Sequence, residues 1–206
     1  MTSPARRERE ALAELLLKTG PDAPTLCGDW TTRDLAAHMT AREHRPDSGP
    51  GILVSAFSAW TERVRRRYAR MDYERLVELF RNPPRWSPGA WPAADQAVNT
   101  LEFFVHHEDV RRAAPDWKPR ELDRETQEAL WARTKLARLL LRRTGMTVKL
   151  EAPGYGQRTF GKGKTDAVVS GDPGEVIMFC LGRQNHSRAR VEGGRAEELS
   201  RAWLGF

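Results

Sequence analysis

Leu101-Glu-Phe-Phe-Val-His-His-Glu-Asp-Val110 reads as a helix that carries two metal-ligand types on one face. Glu102 and His106 are four residues apart, and residues at this spacing lie about one turn apart on the same side of a helix. A carboxylate and an imidazole so placed can bind one divalent metal ion. His38, at the end of Thr31-Thr-Arg-Asp-Leu-Ala-Ala-His38, would complete a three-ligand site if its helix packs alongside. The segment therefore predicts a metalloprotein built on packed helices.

The Glu-x3-His spacing is weak evidence alone, because such pairs also occur on solvated helix faces. Its position strengthens the metal interpretation. Glu102 and His106 share their segment with Phe103, Phe104 and Val105, which favour a packed helix. Burying a carboxylate and imidazoles costs several kcal/mol, of the order of 2–7 for an unpaired polar group, unless they are paired or bind a metal.

The other histidines and the cysteines are weaker candidates. His107 points about a hundred degrees away from His106, so it is the alternative ligand only if the helix register differs. His44 is expected at the surface. Cys27 precedes the His38 helix and could supply a fourth ligand or a thiol, but a small buried apolar role is the simpler interpretation for Cys27 and Cys180.

Composition indicates an ordinary globular protein of 206 residues with 30% charged residues and a net charge of +6. The apolar runs are too short to span a bilayer, and the N-terminus lacks the apolar stretch of a signal peptide, so we expect a cytoplasmic protein with reduced cysteines. Arginine clusters could suggest a nucleic-acid surface, but acidic residues are interleaved with them and no nucleic-acid-binding motif is present. We therefore do not expect nucleic-acid binding, and an anionic small molecule is the better partner for these arginines.

The first two-thirds of the chain carry helical patterns, and the rest carries strands. Predicted helices cover residues 4–18, 31–39, 52–68, 73–80, 93–114 and 123–143. Predicted strands cover residues 146–151, 157–160, 166–170 and 188–192, with short helices at 171–182 and 196–204. We therefore predict an α+β protein, with a helical bundle over residues 1–145 and a small α+β domain over residues 146–206.

The motifs together resemble a known family. Leu26-Cys-Gly-Asp-Trp-Thr-Thr-Arg-Asp-Leu-Ala-Ala-His38 and Glu102-Phe-Phe-Val-His106 look like the DinB-like superfamily, and more closely its actinobacterial branch of mycothiol-dependent maleylpyruvate isomerases. Ser170-Gly-Asp-Pro-Gly-Glu175 and Leu181-Gly-Arg183 resemble the C-terminal α/β domain of those isomerases. The resemblance covers nearly the whole chain.

The resemblance implies an N-terminal four-helix bundle that binds a divalent ion, commonly zinc with nickel as an alternative, through His38, Glu102 and His106. It also implies mycothiol as a cosubstrate and Arg183 as a catalytic residue that holds a substrate carboxylate. The implied activity is an isomerase or S-transferase acting on an electrophile. The alternative is a non-catalytic metal-binding or regulatory protein, and the chain could be a monomer or a homodimer.

Overall fold

The computed structural model describes residues 2–45, 47 and 58–205, and it divides the chain into two compact units. The first ends at Pro119 and the second begins at Arg120. This division lies before residue 145, where the sequence pattern changes from helical to strand-like. The reason is that the helix from Arg124 packs against the helix from Pro173 and so belongs with the strands.

The first unit is helical. Its helices are α1 (Pro4–Thr19), α2 (Thr32–His44), α3 (Ser58–Ala69), α4 (Tyr73–Arg81) and α5 (Pro92–Arg111), with a 3-10 turn at Pro88–Ala90. These helices match the predicted ones, but α2 continues five residues beyond residue 39 and α5 ends three residues before residue 114. The predicted start of α3 at residues 52–57 lies outside the described residues.

Local capping explains where the first helices begin. The Ser3 hydroxyl accepts a hydrogen bond from the Arg6 amide, and Pro4 occupies the first turn of α1. Thr31 and Asp34 form a capping box at the start of α2, because each side chain accepts from the backbone amide of the other. The start of α2, and with it the direction in which His38 points, is therefore fixed locally.

The core of the first unit joins α1, α2, α4 and α5. Helix α1 packs against α5 and α4, and α2 packs against α3 and α4. The side chains that form this core are fully or almost fully buried, and the largest are Leu12, Leu16, Leu35, Met39, Leu76, Phe80 and Phe103. Burying a side chain of this size stabilises a fold by about 1.5–3 kcal/mol, so this apolar cluster holds the helices that carry the candidate ligands.

The second unit combines short helices with a mixed sheet. Its helices are α6 (Arg124–Arg133), α7 (Ala137–Leu141), α8 (Pro173–Cys180) and α9 (Ala196–Arg201). Its strands are β1 (Val148–Ala152), β2 (Gly156–Phe160), β3 (Ala167–Ser170) and β4 (Arg190–Glu192), in the order β2-β1-β3-β4. Strand β1 pairs antiparallel with β2 and parallel with β3, and β4 pairs antiparallel with β3. The molecule is therefore α+β, as the sequence predicts.

The predicted single helix over residues 123–143 is wrong in one respect. After α6 the chain tightens into a 3-10 turn at Thr134–Leu136, resumes as α7, and tightens again at Arg142–Thr144. The Thr134 hydroxyl donates to the Trp131 carbonyl at 2.7 Å. Hydrogen bonds from a side-chain hydroxyl to a backbone carbonyl compete with the regular backbone hydrogen bonds of an α-helix. The spacing of apolar residues in the sequence does not reveal them.

No helix within the described ranges combines the length and the apolar character that crossing a bilayer requires.

Candidate metal centre

Three side chains from two helices converge on one point of the first unit. His38 projects from α2, and Glu102 and His106 project from one face of α5. The Nε2 atom of His38 lies 3.5 Å from Oε1 of Glu102, and Nε2 of His106 lies 3.4 Å from the same oxygen. The two imidazole rings meet edge to face, with their centroids 5.4 Å apart. The structure thus brings together the three residues that the sequence singled out.

The separations of the ligand atoms suit a metal ion. Zinc bonds to nitrogen and oxygen of about 2.0–2.1 Å place two ligands of a tetrahedral site about 3.3–3.4 Å apart. The two His–Glu distances lie close to this spacing, and the three ligand atoms all lie within 4.8 Å of one another. The donor set of two imidazoles and one carboxylate therefore fits a divalent ion.

A second group of atoms lies on the far side of the His106 ring. Nδ1 of His106 lies 3.0 Å from Oδ2 of Asp109, which is fully buried. The Cys27 thiol donates to the same oxygen at 3.0 Å, and its sulfur lies 3.6 Å from Nδ1. A carboxylate at Nδ1 fixes the ring orientation and raises the basicity of Nε2. Asp109 therefore turns the Nε2 atom of His106 towards Glu102.

The electrostatics of the cluster follow from burial and these contacts. Burial favours the neutral form of Glu102, but hydrogen bonds from His106 and His38 and the charge of Arg42 outweigh it and hold the pKa of Glu102 well below its usual range. Burial also favours neutral His106, but its contacts with Asp109, Cys27 and Glu102 raise its pKa well above the usual value.

The pKa of His38 shifts in the opposite direction to that of His106. Burial lowers the pKa of His38, and the charges of His106 and Arg42 reinforce this effect against the opposing contact with Glu102. The His38 ring also packs against Trp30, with the ring centroids 5.2 Å apart. Burial and the neighbouring charges both favour the neutral imidazole of His38, which is the form that binds metals.

The other two histidines of the first unit, His44 and His107, make contacts outside this cluster. His107 is buried, and its Nδ1 lies 2.9 Å from Oε2 of Glu8, so it pairs with a side chain of α1 and not with the candidate ligands. Nε2 of His44 lies 3.2 Å from the Leu79 carbonyl oxygen, and the side chain is partly buried, whereas the sequence predicted a surface position. His186 belongs to a 3-10 turn of the second unit.

The two cysteines have different surroundings. Cys27 is partly exposed, and its thiol contacts Asp109 and the Nδ1 side of His106. Cys180 is fully buried, and burial raises the pKa of its thiol to about 12, which keeps it protonated and unreactive. The apolar role expected from the sequence therefore describes Cys180 and not Cys27.

Arg183, the predicted carboxylate-binding residue, lies in the second unit just after α8. Its guanidinium donates to the Leu181 carbonyl oxygen at 2.6 Å, and its side chain is partly exposed. It precedes the 3-10 turn Gln184–His186.

Two residues near the ligands were not identified from the sequence. Asp109 follows His106 by three residues, and this spacing on a helix was the signal that could have found it. Arg42 follows His38 by four residues, and its Nε lies 3.8 Å from Oε1 of Glu102. Arginine is common on solvated helix faces, so the sequence alone did not distinguish Arg42 from the many others.

The comparisons with known proteins support the fold. A crystal structure of the mycothiol-dependent maleylpyruvate isomerase matches with a TM-score of 0.62 and 14% sequence identity, over 92% of this chain and 90% of that chain. A structure of a histidine-to-alanine mutant of such an isomerase matches over the same shares, with a TM-score of 0.60. Neither a scan against protein-family profiles nor a search of curated proteins gives a match. The resemblance stated from the sequence is thus confirmed at the level of the fold.

Proposed function

We propose that this chain binds one divalent metal ion through His38, Glu102 and His106 and uses it to activate a low-molecular-weight thiol. The observation that carries this proposal is the convergence of two imidazole nitrogens and one carboxylate oxygen at metal-ligand spacing. The shared fold with mycothiol-dependent isomerases supports mycothiol as the first thiol to test. Zinc suits this donor set best, and nickel or cobalt would also fit it.

A bound divalent ion with an open position would act as a Lewis acid that lowers the proton affinity of a thiol. The protein residues supply the geometry. Asp109 holds His106 through Nδ1, and Trp30 packs against the ring of His38. Both imidazoles are thus oriented by contacts that leave their Nε2 atoms facing Glu102.

We further propose that α1, α2, α4 and α5 form a four-helix bundle around this cluster. The packing of α1 on α5 and α4, and of α2 on α4, supports this arrangement. All three proposed ligands lie on two of these four helices, so the bundle core would set the distances between them.

We propose an isomerase or S-transferase as the reaction class. A thiolate can add to an activated double bond, allow rotation and leave again, or it can displace a leaving group from an electrophile. Arg183 is proposed to hold a substrate carboxylate, since a guanidinium matches a carboxylate with two parallel hydrogen bonds. Arg183→Lys should then raise KM for a carboxylate-bearing substrate more than it changes kcat.

Elemental analysis of the purified protein tests the metal site. We expect about one divalent ion per chain in the wild type and in His186→Ala, a control in the second unit. His38→Ala and Glu102→Ala should each lose most of the metal, because removing one of three ligands leaves an incomplete site. Unchanged stoichiometry in both variants would refute the assignment.

Calorimetric titration of the metal-loaded protein with mycothiol tests the thiol role. We expect binding that disappears in His38→Ala, followed by turnover when an electrophile is added. Metal binding without thiol binding or turnover would favour the non-catalytic metal-binding protein instead.

A further inference from the structure

A group of buried charges lies beside the candidate metal centre. The guanidinium of Arg9, which is fully buried, donates to Oε1 of Glu43 at 3.0 Å, to Oδ1 of Asp95 at 2.9 Å and to the Phe80 carbonyl at 2.9 Å. Arg9 comes from α1, Glu43 from α2 and Asp95 from α5. We call Arg9, Glu43, Asp95 and the adjoining Asn99 the Arg9 cluster.

Stability alone does not explain such a cluster. Removing charges from water is costly, and buried ion pairs are often no more stabilising than apolar residues of the same volume. One donor of the cluster, Nε of Arg9, is buried without a partner in the part of the chain that the structure describes, but the hydrogen bonds that the other groups make still fix the geometry of the side chains attached to them. The question is therefore which group the Arg9 cluster holds in place.

Asn99 connects the Arg9 cluster to Arg42 through hydrogen bonds. Its amide nitrogen donates to Oε1 of Glu43 at 2.9 Å and to Oδ1 of Asp95 at 2.7 Å, which uses both of its N–H groups. Its carbonyl oxygen is left to accept, and it takes a hydrogen bond from Nη1 of Arg42. The amide is thus oriented by two carboxylates, and it aims its oxygen at the guanidinium.

Arg42 is held beside the metal ligands with most of its donors unused. Its Nε lies 3.8 Å from Oε1 of Glu102, beyond hydrogen-bond distance, and its side chain is 21% exposed. A guanidinium has five N–H donors, and among the described residues the bond to Asn99 is the one that Arg42 makes. The buried side-chain atoms without a partner among the described residues are Nε of Arg9 and Nε of Arg81, so the remaining donors of Arg42 face solvent, where a ligand bound beside Glu102 can reach them.

We propose that Arg42 is an anion-binding residue of the metal centre and that it recognises a carboxylate on a ligand bound there. The proposal rests on the proposed function, because it assumes that His38, Glu102 and His106 hold a metal ion. A cation fixed next to a divalent ion favours an anionic ligand that contacts both, and a guanidinium suits a planar carboxylate. Asn99 and the Arg9 cluster preorganise this guanidinium, so little side-chain order is lost on binding.

Acetate and acetamide form a matched pair of probes, because they have nearly the same shape and differ in charge. Each is titrated into the full-length protein loaded with Co²⁺, and the visible spectrum of the metal reports binding. We expect the wild type to prefer acetate, and Arg42→Gln to bind acetate about ten- to a hundredfold more weakly, the usual effect of losing a hydrogen bond to a charged group. Acetamide binding should not change.

Further variants distinguish acetate recognition by Arg42 from a purely structural role of this residue. Asn99→Ala should weaken acetate binding several-fold by releasing Arg42, and Arg42→Lys should fall between the wild type and Arg42→Gln. Arg66→Gln, which removes an exposed arginine of α3, should behave as the wild type. Affinity for Co²⁺ should not fall in Arg42→Gln, because a positive charge beside the ion has been removed.

The outcomes distinguish this proposal from the one it rests on. A wild type that takes up no metal would overturn the proposed function and this inference with it. A metal-binding wild type that does not prefer acetate, or an acetate preference that survives in Arg42→Gln, would overturn this inference alone. Weaker metal binding in Arg42→Gln, with an unchanged acetate preference, would assign Arg42 a purely structural role.

Discussion

The two ring nitrogens of His106 make different contacts. Nε2 faces Glu102 at 3.4 Å, and Nδ1 faces Asp109 at 3.0 Å. A ring with one free nitrogen could rotate and present either nitrogen to a metal, whereas a carboxylate at Nδ1 selects one tautomer and one orientation. Asp109 is therefore part of the proposed metal centre, although it contributes no ligand atom to the group of His38, Glu102 and His106.

We expect Asp109→Asn to bind metal about ten- to a hundredfold more weakly than the wild type, the usual effect of losing a carboxylate behind a ligating histidine. The amide keeps the size of the carboxylate and removes its charge, so the packing around it should persist. Competition with a chromophoric chelator measures the affinity. Asp116→Asn removes an exposed carboxylate that lies outside the site and serves as the control. Equal affinities for the wild type and Asp109→Asn would exclude the orienting role.

The three proposed ligand residues could be selected from the sequence because the spacing of Glu102 and His106 has a direct geometric meaning. The i, i+4 relation of Glu102 and His106 fixes a shared helix face before any tertiary contact is known. The contribution of Asn99 and Arg42 depends on side chains of α2 and α5, together with Arg9 of α1, meeting in one place. No local pattern specifies such a meeting, so this part of the site had to come from the structure.

At the scale of elements, Arg65 connects α3 to α2. Its guanidinium donates to Asp34 at the start of α2, holds Glu62 with contacts of 2.8 and 2.6 Å, and lies 4.9 Å from the centre of the Trp30 ring. Trp30 in turn packs against His38. The position of α3 is thereby linked to one of the proposed metal ligands.

The Glu62–Arg65 contact should make stability depend on pH. Hydrogen bonds from Arg65, and then from Arg66, outweigh the effect of burial and lower the pKa of Glu62 to about 2. The pKa of Glu62 is lower in the folded state than in the unfolded state. Ionised Glu62 therefore stabilises the fold fully above the unfolded pKa of about 4.3, and this stabilisation is lost as the pH falls towards 2. The side chain is 37% exposed, so screening limits the contribution to about 1 kcal/mol or less.

Thermal unfolding of Glu62→Gln measures this contribution. We expect a melting temperature about 2 °C below that of the wild type at pH 7, with the difference disappearing near pH 2. Glu14→Gln, an exposed change in the middle of α1, should match the wild type at both pH values. A difference that stays constant across this range would mean that the ionised pair contributes nothing.

The bounds of the elements could be predicted where local chemistry fixes them, as at Pro4 and Thr31, whose caps are encoded within a few residues. The interruption after α6 could not, because the 3-10 turns depend on a hydroxyl contact that leaves the apolar pattern unchanged. The change from a helical to a strand-like sequence pattern near residue 145 marks the first strand of the second unit. The first unit ends earlier, at Pro119, because α6 packs with α8 of the second unit.

At the scale of the whole molecule, the first unit contains every component of the proposed metal centre. His38, Glu102, His106, Asp109 and Arg42 all precede Pro119, and so does the apolar cluster that packs α1, α2, α4 and α5. A unit with its own core is expected to fold alone. The likeness to isomerase structures, in contrast, extends over 92% of the chain, so the shared fold includes both units.

We therefore expect a fragment that ends at Pro119 to be helical by circular dichroism, to melt cooperatively and to bind about one divalent ion, as the full chain should. Its ligands and the residues that orient them are all present, so its metal affinity should lie within a few-fold of the full-length value. The same fragment with His38→Ala should fold but bind little metal, which distinguishes the site from nonspecific binding by other side chains. A folded fragment that takes up no metal, beside a full-length protein that does, would mean that a ligand outside the first unit is required.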